Sequence, residues 1–226
     1  MTRLGWYPRA RHPANLGFMT SAPIRLVLAT HNAHKVAELT RILGPQLDGF
    51  ELVAYDGPEP VEDGSTFGEN ALIKARAAAL HTGLPALADD SGICVDALNG
   101  APGIHSARYS GTRVDVDNVQ KLLEAMAKEP NRDAHFECAA ALVIPGSGDA
   151  GTDAAAVQEW TETGVWPGQL RHAASGAGGF GYDPIFAPTG YEVSAAELAP
   201  EEKNRISHRA IAFGKIIGVV RASLPL

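Results

Sequence analysis

The strongest constraint on this chain is the run IRLVLA at residues 24–29, apolar and β-branched but for Arg25, which passes into a helical pattern with no spacer. A strand of that composition is buried on both faces, and the helix after it carries Val36, Leu39 and Leu43 on one side. Gly44-Pro45 stops that helix. A second strand-like run at residues 50–55 leads through the polar turn DGPEPVEDGS to an alanine-rich helix over residues 66–81, closed by Gly83 and Pro85. The order strand, helix, strand, helix predicts an α/β fold.

After Pro85 the pattern gives a short strand ending at Ala88, the sequence DDSG, and a second short strand over residues 93–98. The loop NGAPGIHSARYSG follows, then a helix over roughly residues 117–128 built on Leu122, Leu123 and Met126. Residues 136–144 and 157–165 read as antiparallel strands joined by GSGDAGTDAAA, an exposed hairpin loop. Residues 164–181 contain six glycines, too many for regular structure, and end in GGFGYDPIF. The chain finishes helically with SAAELAPEEK and AIAFGKIIGVV.

Composition narrows the function classes. With 226 residues, 45% hydrophobic and 20% charged, the chain can bury a sizeable core. It has no run of eighteen apolar residues, so no membrane partner is expected. Nineteen basic against 26 acidic residues give a net charge of −7, the wrong sign for a nucleic-acid binder. Arg3, Arg9 and Arg11 stand without acids in residues 1–19, so the remainder carries 16 basic against 26 acidic residues, or −10. Handling a polyanion therefore requires a local basic cluster, a metal ion, or both. Cys94 and Cys138 each sit inside an apolar stretch and read as buried, reduced thiols, which points to a cytoplasmic protein. Residues 1–18 lack the apolar core of a secretory signal and are expected to be a disordered or mis-assigned extension, with a single domain over residues 19–226.

Five segments carry candidate chemistry. In Thr30-His31-Asn32-Ala33-His34-Lys35 a buried strand turns directly into a helix, where free N–H groups and Lys35 suit a phosphate; equally, Thr30 or Asn32 caps the helix and Lys35 is solvated. His31 and His34 make only a weak metal pair. Glu62 precedes Thr66-x-x-Glu69, a capping box, so Glu69 either holds the helix start or faces a cation with Glu62; Lys74 and Arg76 read as surface residues. Asp89-Asp90-Ser91-Gly92 places adjacent carboxylates on opposite faces at a strand end, one addressing a cleft, or else forms a solvated turn. Phe180-Gly181-Tyr182-Asp183 offers aromatic faces for stacking on a base, with Asp183 held extended before Pro184. On one continuous helix Lys203, His208 and Arg209 would fall at about 0°, 140° and 240° and could not converge. If Ser207 caps a new helix with Ala210, Phe213, Ile217 and Val220 on its core face, they gather, either around an anion or in a salt-bridge network.

In this order the segments LATHNAHKVAEL, TFGENALIKARAAA, ALADDSGICVDALNGAPGIHSARYSG, GGFGYDPIF and EEKNRISHRA resemble the inosine triphosphate pyrophosphatase family, from about Ile24 to Leu224. The resemblance implies an elongated two-lobed α/β fold around a long mixed sheet with helices on both sides and an active-site cleft between the lobes. It implies hydrolysis of ITP, dITP or XTP to the monophosphate and pyrophosphate, cleansing the nucleotide pool of deaminated purines, with Mg2+ as cofactor and a homodimeric assembly. By that resemblance Thr30, His31, Asn32, Ala33, His34 and Lys35 form the triphosphate turn. Asp90 is the catalytic base and a magnesium ligand, Glu62 a second candidate for the metal, and Ser91 touches substrate. Phe180, Gly181, Tyr182, Asp183, Lys203, His208 and Arg209 would bind the nucleotide. The family often has Gly where this chain has His31 and His34. Two rival functions stand beside this one: a phosphatase releasing phosphate stepwise, and a nucleotide sensor that keeps the pocket without the chemistry.

Overall fold

The computed structural model describes residues 22–146 and 157–225. The expected extension at residues 1–18 and most of the hairpin loop fall outside the described residues. The elements are β1 (Ile24–Leu28), α1 (Ala33–Leu43), β2 (Phe50–Ala54), α2 (Phe67–Thr82), β3 (Ala86–Val95), α3 (Asp115–Ala125), β4 (Asp133–Ile144), β5 (Gln158–Leu170), β6 (Phe186–Pro188), α4 (Pro200–Ile206) and α5 (His208–Ser223), with short 3-10 turns between them. Among the described residues no helix is long and apolar enough to cross a membrane.

Among the described residues six strands form one mixed sheet in the order β2-β1-β3-β4-β5-β6. The first βαβ unit makes β1 parallel to β2, and β1 is also parallel to β3. From β3 onward each neighbour is antiparallel. Helices cover both faces of the first half. On one side Leu39 and Leu43 of α1 meet Phe213, Ile216 and Val220 of α5 over Leu26 and Leu28. On the other, the alanine face of α2 (Ala71, Ala75, Ala78) packs on Val27, Ala88 and Ala141, small residues on both sides permitting close approach. A third core fills the second half, where Ile93, Val95, Phe136, Trp166 and Phe186 pack with Leu122 of α3. Ala86–Ala88 therefore belong to the first half, while Ile93 and Val95 pack in the second and Cys94 turns back to the α2 side, leaving Asp89–Gly92 at the seam.

Two expectations need correction here. DDSG does not separate two strands: β3 runs unbroken through it, because Asp89, Asp90, Ser91 and Gly92 pair in register with Ala140, Ala139, Cys138 and Glu137 of β4. Tertiary pairing overrides the poor strand propensity of Asp and Gly. Likewise the glycines at 164 and 168 do not end β5, which continues to Leu170. A Cβ at Gly164 would collide with the backbone of His208 and Ala212, so this glycine lets α5 lie directly on the strand. The expected break before His208 is present: Ser207 ends α4, and its hydroxyl accepts from the Ala210 N–H to cap α5.

Candidate functional site

The seam of the sheet opens into a cleft of about 260 Å³. Its floor is β3, where extended backbone turns Asp89 and Asp90 to opposite faces. Two ion-pair networks result, one on each face.

The Asp89 network is a chain of alternating charges running from Lys35 to Asp183. Asp89 Oδ2 accepts from Lys35 Nζ at 2.9 Å and Arg209 Nε at 3.2 Å. Arg209 Nη1 reaches Glu38 Oε2 at 3.0 Å, and Arg209 Nη2 donates to the Ser91 hydroxyl at 2.7 Å. Glu38 also meets Lys203 Nζ at 3.3 Å, and that ammonium donates to Asp183 Oδ2 at 2.7 Å. Lys35, Lys203 and Arg209 thus face Glu38, Asp89 and Asp183, and the network is formally neutral. Burial alone would raise Asp89, but Lys35, Arg209 and Lys74 outweigh it and hold the carboxyl well below the usual range. Asp183 is pushed up by burial despite Lys203. The cations gathered at the start of α5 are therefore met by carboxylates of the protein itself, the salt-bridge alternative of the sequence reading.

The Asp90 network carries surplus negative charge. Lys74 Nζ lies 3.1 Å from Asp90 Oδ1 and 3.2 Å from Glu62 Oε2, so one cation stands between two carboxylates and leaves a net of −1. Asn70 Nδ2 donates to the second Asp90 oxygen at 3.2 Å. Burial pushes Asp90 above the ordinary carboxylate range against the pull of Lys74 and Lys35, with Glu62 adding to the rise. Burial works against the Lys74 charge, yet Asp90, Asp89 and Glu62 raise it above an ordinary lysine. Lys74 is thus a site residue and no surface group. The signal was present in the sequence: Asn70 and Lys74 are four apart on α2 and share the face turned to β3. Glu38, three residues beyond Lys35 on α1, is a second residue missed for the same reason. Glu69 is structural, its carboxylate accepting from the Ser65 backbone N–H and hydroxyl.

The remaining expected residues divide. At the start of α1, Asn32 is the cap: its Oδ1 accepts from the N–H groups of His34 and Lys35 at 2.9 and 3.2 Å, and Thr30 Oγ1 accepts from Asn32 N. Thr30, His31, Asn32 and Lys35 line the cleft; Ala33, His34 and Lys203 lie off its wall. The two histidines diverge, His31 against Tyr55 and His34 stacked on Phe180 with centroids 5.5 Å apart, so they do not pair on a metal. Phe180 also has Lys203 and Arg209 at 5.3 and 5.1 Å from its ring centre. Tyr182 lines the cleft but is largely buried, against the expectation of an exposed ring, and its hydroxyl donates to the Ser106 carbonyl at 2.8 Å. Gly181 N–H donates to Asp115 Oδ2. Asp183 opens a 3-10 turn and is fixed by Lys203 and the Phe180 N–H, not by extended backbone. His208 is buried, stacked 4.7 Å from Phe136, with Nδ1 unpartnered. Burial, reinforced by Arg209 and Lys203, holds its pKa well below that of a free histidine, so it is a neutral ring.

The fold and cleft define a mixed-sheet α/β protein whose charged groups converge at the junction of its two halves. Comparison with known proteins makes this specific. The sequence pattern of the Ham1 family matches residues 26–219, and the chain belongs to that family. It is 54% identical over 202 residues to the dITP/XTP pyrophosphatase of Leifsonia xyli, covering 88% of this chain and 96% of the relative. It is 50% identical to the dITP/XTP pyrophosphatase of Streptomyces coelicolor, covering 88% and 98%. Among solved structures, a HAM1 protein from Coxiella burnetii superposes with a TM-score of 0.76 at 42% identity, covering 88% of this chain and 99% of that one. The family resemblance and the α/β fold expected from the five motifs are both borne out.

Proposed function

We propose that this protein hydrolyses non-standard purine nucleoside triphosphates, ITP, dITP or XTP, to the monophosphate and pyrophosphate. The observation that carries the reading is the Glu62–Lys74–Asp90 triad on the cleft floor, two hard carboxylates converging on one cation position. Membership of the Ham1 family and the names of its relatives supply the substrate class.

The same triad fits Mg2+, which takes one or two carboxylates and completes its shell with water and phosphate oxygens. Glu62 and Asp90 would hold the ion, with Lys74 yielding the place its ammonium occupies. When bound, the ion supplies charge neutralisation to the phosphate oxygens. Charge on the cleft floor favours it: neither the neutral network nor the −1 network by itself attracts a polyanionic triphosphate, and Arg108 and Arg113 stand on the wall instead. Asp90, raised by burial and therefore a stronger base than an ordinary aspartate, takes the proton of the water that attacks the α-phosphorus. The bond from the α-phosphorus to the bridging oxygen breaks and pyrophosphate leaves. Lys35, the cation of the Asp89 network with most access to the cleft, offsets charge on the departing oxygens. Phe180 offers its ring to the base, while Asp183 and Lys203 fix the loop that carries it. Selection for a 6-oxo purine then rests on buried donors that a 6-amino group leaves unpaired.

Product analysis tests this against its rivals. ITP and ATP are incubated with the protein, with and without Mg2+, and the products separated. Monophosphate plus pyrophosphate from ITP, dependent on Mg2+, is expected. Diphosphate plus phosphate would identify a phosphatase, and tight binding without turnover a sensor. The homodimer implied by the family belongs to the same proposal and is read by sedimentation velocity.

A further inference from the structure

A second group of ligating side chains lies further along β3 and β4. Cys94 of β3 and His135 of β4 stand directly opposite in the antiparallel register, and Glu137 is two residues along β4 on the same face. One ligating atom from each lies within 4.8 Å of the other two, His135 Nε2 and Glu137 Oε2 being 4.0 Å apart. Among the described residues no Lys or Arg pairs with Glu137. Cys94 lies four residues beyond Asp90 on the same face of β3, about 13 Å along the strand. The turn bearing Ser106 sits over Gly92 between them, so the two sets share no ligand.

The donor set decides the ion. One thiolate, one imidazole and one carboxylate suit Zn2+ and its borderline-soft neighbours, whereas Mg2+ takes oxygen ligands only. Around a tetrahedral ion with bonds of about 2.0–2.3 Å, ligand atoms sit roughly 3.3–3.8 Å apart. A closure of about 1 Å is needed, and His135 and Glu137, each 32% exposed, are free to make it by side-chain rotation. Cys94 is buried and already fixed by the sheet. We infer that Cys94, His135 and Glu137 form a Zn2+-class site with three protein ligands and one position open to water, separate from the cleft. A bound ion would tie β3 to β4 beside the Ser106 turn, whose carbonyl holds Tyr182.

Full-length, metal-stripped protein is dialysed against Zn2+ with Mg2+ in excess, and separately titrated with Co2+ while the near-ultraviolet thiolate-to-cobalt absorption is recorded. One equivalent of Zn2+ is expected to be retained, and the Co2+ band to appear. C94S should abolish the band, and C94S and H135A should each weaken retention at least tenfold, with E137Q weakening it less. E62Q and D90N should change neither readout. H135A, at a partly exposed position, serves if C94S fails to fold. Retention of no Zn2+, absence of the band in the unmodified protein, its persistence in C94S, loss of retention in E62Q or D90N, or displacement by Mg2+ would each overturn the site.

Discussion

Asp89→Asn tests the neutral network most directly, because it removes one charge and almost no volume. In the folded protein Asp89 has no side-chain exposure, and one of its oxygens serves Lys35, Arg209 and Ser91. The substitution leaves Lys35, Lys203 and Arg209 against Glu38 and Asp183, a buried excess of +1. Breaking a buried pair costs roughly 3–5 kcal/mol. Two features place the loss near the lower end, at about 3 kcal/mol: Arg209 keeps Glu38, and Lys35, 15% exposed, can turn toward water. Against a total stability of about 5–15 kcal/mol the fold survives, and with a urea slope of about 2–3 kcal/mol/M the midpoint should fall by roughly 1 M or more at pH 7. The pH dependence follows from the sign of the shift. Asp89 is held below its unfolded value, so its stabilisation is complete above the ordinary carboxylate value of about 3.9 and is lost as pH falls toward the folded one. The gap between the two proteins should therefore be constant from pH 7 to about 5 and shrink below about 4. An unchanged midpoint at pH 7, or a gap that widens on acidification, would refute the reasoning.

Its neighbour should behave oppositely. Asp90→Asn should lower turnover of ITP by about 10²–10⁴-fold while leaving the thermal midpoint unchanged or higher, because burial disfavours the ionised Asp90 in the folded protein; an active variant would remove Asp90 as the base. Lys74→Gln takes away the cation that pulls Asp90 down, so the acidic limb of the kcat/KM profile should move to higher pH, and a limb that stays fixed would uncouple Lys74 from the base. Phe180→Ala should raise KM for ITP by about 10-fold, within the roughly 1–3 kcal/mol that a stacked base contributes, with a smaller effect on kcat; an unchanged KM would place the base elsewhere. Gly164→Ala should lower the thermal midpoint sharply, since the added methyl meets α5 backbone, and a midpoint equal to the parent would mean that α5 can shift away.

What the chain declares in its sequence is mostly what depends on near neighbours. The strand-to-helix junction at Asn32, the Thr66 cap and the restart of a helix at Ser207 are each fixed within four residues, and all three stand in the structure. What escaped depends on partners far along the chain. DDSG looks like a turn until the alanines and Cys138 of β4, some fifty residues later, pair with it. Lys74 looks solvated until β3 brings Asp90 beneath it, and Tyr182 looks exposed until the Ser106 carbonyl, 76 residues away, takes its hydroxyl. Local pattern places a side chain on a face; only the sheet says what that face meets.

Charge is where this difference matters most. From the sequence, an acidic body with Lys35, Lys203, His208 and Arg209 converging suggests a basic pocket built to neutralise phosphates. In the fold His208 is neutral, and the three remaining cations are each matched by a buried carboxylate, so positive charge outside ion pairs is left to Arg108 and Arg113 on the cleft wall. On the cleft floor a phosphate arriving alone would meet compensated cations and the surplus anion of Glu62 and Asp90. It would have to break ion pairs of about 3 Å to gain new ones, a near-balanced exchange. A divalent cation adds two positive charges at the Glu62 and Asp90 carboxylates without disturbing the other network, and this is the cheaper route to a site that attracts a triphosphate. The compensated network then serves geometry: it holds Lys35 and Arg209 in fixed positions before substrate arrives, and so supplies orientation more than charge.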